Sequence, residues 1–95
     1  MTRDQILKTI EANRERLRAL GVSELSLFGS FARGEGNNSS DIDFLVDLNP
    51  KSFDRYMDLK EFLESLFGRR VDLVMKGALK SRLRESILRE AVRAA

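Results

Sequence analysis

Ninety-five residues, 42% of them hydrophobic, suffice for one core, and the reading is a single domain over 1–95. Seventeen lysines and arginines nearly balance fifteen acids, leaving a net charge of +2, too even a mixture for the one-sided basic footprint of a nucleic-acid binder. With no cysteine and no histidine, disulfide scaffolds, thiolate metal sites, cysteine nucleophiles and histidine bases are excluded, which leaves chemistry to carboxylates, hydroxyls, cations and a bound metal.

In chain order, Thr2 and Gln5 suit a capping box ahead of Ile6, Ile10, Leu17 and Leu20. Their spacing predicts one helix from about Arg3 to Leu20, stopped by Gly21. Residues 23–29, SELSLFG, alternate as a first strand that ends at Gly29–Ser30. SFARG suits a short helical turn, and EGNNSS a flexible loop. DIDFLVDL (41–48) predicts the second strand, closed by Asn49–Pro50.

A further helix runs from about Phe53 to Phe67, with Tyr56, Leu59, Leu63 and Leu66 on its inner stripe and Gly68 as its cap. RRVDLVMK reads as a third strand. A last amphipathic helix starts at Leu79 or Ser81 and carries Leu83, Ile87, Leu88, Ala91 and Val92. This basic end reads first as a solvated helix face and second as a docking surface for a partner or phosphate. The expected fold is α+β, a three-stranded mixed sheet with helices packed on one face and the other face free to hold a site. The N-terminus does not resemble a signal peptide and no apolar run approaches membrane-spanning length, so the expected location is cytoplasmic.

The second strand poses the chemical question. Its even positions, Ile42, Phe44, Val46 and Leu48, form an unbroken apolar face, while Asp41 and Asp43 share the opposite face. Aspartate is disfavoured in strands, and two carboxylates roughly 6–7 Å apart along a strand repel each other unless a cation sits between them. A divalent metal is the expected neutraliser. Asp72 repeats the pattern on the third strand, and three aspartates on one face make a hard oxygen donor set suited to Mg²⁺. Two such ions clamp an in-line displacement at phosphorus. Gly29 and Ser30 complete the pattern: glycine admits a phosphate to the backbone, and the following amides are donors. Each piece alone has a plainer reading, an acidic surface loop or an ordinary turn. Asp47 fits a strand-end residue capping the Asn49–Pro50 turn. The joint spacing is what points to triphosphate chemistry.

Gly29-Ser30, ten residues, then Asp41-Ile42-Asp43, with Asp72 on a later strand, resembles the signature of the DNA polymerase β-like nucleotidyltransferase superfamily. GSFARGE and LKSRLRESILREAV resemble its minimal nucleotidyltransferase group over most of the chain. The resemblance implies the nucleotidyltransferase fold, ATP as co-substrate and Mg²⁺, with two ions expected. It implies that Asp41, Asp43 and Asp72 are metal ligands and catalytic, with Asp72 also helping to deprotonate the attacking hydroxyl. Gly29 and Ser30 would be nucleotide-binding. Arg33 falls on the group's Ala-Arg-Gly and is expected to fix the loop through a salt bridge. Members of the group are antitoxins paired with HEPN-domain toxins, and the implied activity is transfer of AMP from ATP to a tyrosine hydroxyl of the toxin. Two alternatives stand beside it: an antitoxin that neutralises by binding alone, and a nucleotidyltransferase subunit acting on a small molecule with a separate recognition chain. A homo- or hetero-oligomer fits either.

Overall fold

In the computed structural model, which describes residues 1–95, the N-terminal helical segment is two helices, α1 (Arg3–Ala12) and α2 (Arg14–Ala19). The Thr2–Gln5 capping box is present, with Gln5 N–H donating to Thr2 Oγ1 at 3.2 Å and Thr2 N–H to Gln5 Oε1 at 2.8 Å. One continuous helix was expected. The break falls at Asn13, which leaves helical geometry (φ −112°, ψ 18°) and turns its amide back onto Thr9 O at 2.8 Å. A short polar side chain that bonds its own backbone competes with the helix in this way. The apolar stripe survives the kink, and Ile6, Ile10 and Leu17 are all buried.

The remaining elements are β1 (Val22–Phe28), α3 (Gly29–Ala32), β2 (Ile42–Leu48), α4 (Phe53–Phe67), β3 (Val71–Met75), a 3₁₀ turn (Lys76–Ala78), α5 (Ser81–Glu90) and β4 (Val92–Arg93). The sheet is mixed, in the order β3-β2-β1-β4. β1 pairs antiparallel with β2 and with β4, and β2 pairs parallel with β3. It therefore has four strands rather than the three expected. The fourth arises where the last helix stops at Ala91, in extended geometry (φ −65°, ψ 137°), so Val92 joins a strand instead of a helix face. Ala94 N–H donates to Leu25 O at 2.8 Å and Leu25 N–H to Ala95 O at 3.0 Å, covering the outer edge of β1. A two-residue strand is too short for any periodicity to register.

Ile42, Phe44, Val46 and Leu48 of β2 are fully buried against Ile6, Ile10 and Leu17 from α1 and α2 and Leu59, Leu63 and Phe67 from α4. Phe67 joins the α4 stripe as a buried residue, Leu66 and Tyr56 pack partly buried against the core, and Tyr56 donates its hydroxyl to Leu73 O at 2.7 Å. Gly68 ends α4 in the left-handed region (φ 65°) and donates to Glu64 O at 2.8 Å, a conformation that glycine reaches without a Cβ penalty. α5 contributes no buried residue, and Leu83 and Leu88 stand 50% and 38% exposed. No helix is long and apolar enough to cross a membrane.

Candidate active site

The opposite face of the sheet is only partly covered. Ser26, Phe28 and Leu45 are buried there, outside the main core cluster. Asp43 is the register partner of Phe28 on β1 and of Asp72 on β3. Cross-strand partners share a face, so Asp43 and Asp72 stand side by side. Val71 and Leu73, flanking Asp72, are buried toward the helices while Asp72 itself is exposed. Asp41 lies just before β2 and is also exposed.

Asp43 is the acid most strongly perturbed. Burial pushes its carboxyl up to about 6, the charges of Asp72 and then Asp41 push the same way, and Arg33 partly opposes them. Asp43 is therefore the carboxylate on which the charges of the other two converge. The six ion pairs of the molecule include none of the three. They form no ready-made three-ligand cage by themselves. Their hard oxygen donors are of the kind that Mg²⁺ takes, commonly one or two carboxylates completed by substrate phosphates and water.

Gly29 explains why β1 ends where it does. Its φ of +74° is in the left-handed region, and a Cβ there would overlap Asp43 Oδ2 and lie 2.9 Å from Asp43 Cγ. The Asp43 carboxylate thus packs against bare backbone. Ser30 follows, half-buried, in the first turn of α3. The turn expected after β1 is present, and the proximity of Gly29 to Asp43 brings the two halves of the signature together.

Two residues important to this geometry carried no local sequence signal. Glu90, at the end of α5, accepts from Gly29 N–H at 3.1 Å and pairs with Arg33 Nη1 at 3.2 Å. Arg33 also pairs through Nε with Glu35 at 3.1 Å, and the bonds to Glu35 and then Glu90 raise its pKa further. The loop-fixing salt bridge expected of Arg33 is present. Arg69 lies over the Phe31 ring at 5.2 Å and donates to Asn37 O and Ser40 O at 3.0 and 3.1 Å. The 35–40 loop, expected to be flexible, is tied down by this arginine and by internal turns from Asn37. Asp47 does not cap the Asn49–Pro50 turn through Asn49 N–H, which donates to Gly21 O at 2.8 Å. The most apolar hollow lies elsewhere, at the outer edge of β3 between Phe53, Tyr56, Leu73 and Met75, with no aspartate in its wall.

A mixed sheet that presents a Gly-Ser turn beside Asp43, with Asp72 and Asp41 acting on that carboxylate, is the framework of a nucleotidyltransferase. The profile described as "Nucleotidyltransferase domain" matches residues 6–94, and the chain belongs to that family. Protein adenylyltransferase MntA of Thermococcus cleftensis is 44% identical over 94 residues, which cover 97% of this chain and 95% of that protein. A solved structure assigned as a minimal nucleotidyltransferase superposes with a TM-score of 0.84 at 38% identity, covering 97% of this chain and 95% of that one. The structure of a tri-AMPylated Shewanella oneidensis HEPN toxin in complex with MNT antitoxin shares the fold, with a TM-score of 0.60 at 19% identity over 90% of this chain and 71% of that one.

Proposed function

We propose that this nucleotidyltransferase is a Mg²⁺-dependent protein adenylyltransferase and antitoxin, which transfers AMP from ATP to a tyrosine hydroxyl of a HEPN-domain toxin. The observation that carries the proposal is the trio of unpaired aspartates, with Asp43 held half-buried against Gly29 and raised to about 6. A cation on such a cluster would offset the cost of ionising Asp43 beside Asp72 and Asp41. The 44% identity to a protein adenylyltransferase supports AMP as the transferred group.

Asp41, Asp43 and Asp72 would hold Mg²⁺, which when bound neutralises phosphate charge and favours attack at the α-phosphorus. The chain's own contribution is placement. Gly29 leaves room for the Asp43 carboxylate beside the turn, and Ser30 lines the same turn. Asp72, which is exposed, would accept the proton of the attacking tyrosine hydroxyl. The new bond joins the tyrosine oxygen to the α-phosphorus, and pyrophosphate leaves with the electrons of the broken bond. The test incubates the chain and its neighbour-encoded protein with Mg²⁺ and ATP labelled at the α-phosphate. Label should appear on a tyrosine of the partner and vanish with Asp41→Asn/Asp43→Asn; no transfer by the unsubstituted chain refutes the catalytic reading.

The uncovered apolar side chains of α5, Leu83 and Leu88, favour a second reading in which the helix docks the toxin and binding alone neutralises it. Full neutralisation by Asp41→Asn/Asp43→Asn would establish that reading over the first.

A further inference from the structure

We propose that the Glu90 carboxylate is a built-in stand-in for a substrate phosphate, and that Arg33 exchanges Glu90 for phosphate when nucleotide binds. The proposal rests on the nucleotide-binding reading above and adds a regulatory contact to that site.

The Gly29 amide and the Arg33 guanidinium are two donors beside the acidic cluster. Gly29 packs against the Asp43 carboxylate, and the charge of Arg33 acts on the same group. Any phosphate bridged to Asp43 through a cation therefore arrives beside both. Both are already engaged by one anion: Glu90 Oε1 takes Gly29 N–H at 3.1 Å, and Glu90 Oε2 takes Arg33 Nη1 at 3.2 Å. A carboxylate bridging a backbone amide and an arginine reproduces what a phosphate oxygen pair would do there.

The arrangement allows a swap without refolding. Arg33 holds Glu35 through Nε and Glu90 through Nη1, so the Glu35 pair keeps the guanidinium in place while Nη1 changes partner. The Glu90 backbone is fixed at the C-terminal end of α5, and β4 is pinned to β1 two residues later. Release of Glu90 is thus a side-chain rotation toward solvent, on the scale of an ordinary rotamer change. Left in place, Glu90 is a fourth carboxylate beside Asp41, Asp43 and Asp72, and it repels an incoming triphosphate. Its contribution is an affinity brake that selects ligands charged enough to displace it.

The experiment titrates AMP-PNP with Mg²⁺ into the full chain and into Glu90→Gln at one fixed, low salt concentration. Glutamine keeps an acceptor for Gly29 N–H and removes the charge. Binding should tighten about fivefold, the upper range for a partly exposed charge pair. The gain should shrink in an Arg33→Gln background, because the freed guanidinium is then missing. In the unsubstituted chain, the Gly29 amide and Glu90 side-chain carboxyl resonances should shift together as nucleotide is added, a readout independent of any variant's folding. Binding that is unchanged or weaker in a folded Glu90→Gln, or that leaves the Glu90 resonance unmoved, overturns the exchange and leaves the nucleotidyltransferase reading intact. Absence of nucleotide binding in every form, the unsubstituted chain included, overturns both.

Discussion

Asp43→Asn should stabilise the fold while removing the candidate activity. The Asp43 carboxyl is raised from 3.8 to about 6, first by burial and then by Asp72 and Asp41, so the folded chain binds that proton more tightly than the unfolded chain. Its contribution to stability is then fully present below about pH 4 and is lost as pH rises through 6. Above pH 6 the ionised group burdens the native state. At 1.36 kcal/mol per pH unit the full shift would correspond to about 3 kcal/mol, and solvent screening of a half-exposed carboxylate lowers that to about 1 kcal/mol. For a chain of this size about 1 kcal/mol raises Tm by roughly 4–8 °C. The assay is thermal unfolding in EDTA at pH 7.5 and pH 4, followed by dichroism. A gain at pH 7.5 that fades at pH 4 is expected. No gain at pH 7.5, or an equal gain at both, refutes charge relief as the cause. Added Mg²⁺ should raise the Tm of the unsubstituted chain at pH 7.5 and do so less for Asp43→Asn.

Gly29→Ala combines a left-handed backbone (φ +74°) with a Cβ that overlaps the Asp43 carboxylate; a loss of about 3 kcal/mol is expected in urea unfolding, and a loss below about 1 kcal/mol would show that the turn relaxes freely. Truncation after Glu90 removes the bonds of Ala94 and Ala95 to Leu25 and the β4 edge. At about 1 kcal/mol net for each of three bonds, it should cost about 3 kcal/mol and speed hydrogen exchange in β1, which an unchanged urea midpoint would contradict.

Much of the site was legible because strand alternation is a two-residue rule. Once DIDFLVDL is a strand, Ile42, Phe44, Val46 and Leu48 must share one face, and Asp41 and Asp43 the other. The capping box at Thr2 and the Gly68 cap are equally local, since each depends on residues within one helical turn. The register of Asp43 with Asp72 is different in kind. It depends on how the β2-α4-β3 crossover closes, and no spacing along the chain states it.

Sequence alone therefore determined the two faces of β2, the Gly-Ser turn and the acids available for chemistry, because each follows from backbone periodicity or from residue type. Tertiary structure alone decided which acids meet, that Val92 and Arg93 add a fourth strand, and that Arg69 ties the 35–40 loop across 29 residues. It also decided the role of Glu90, which reads in isolation as one more charge on a basic helix. Sixty-one residues separate it from Gly29, and only the packing of α5 beside α3 brings its carboxylate onto the amide where a phosphate would sit.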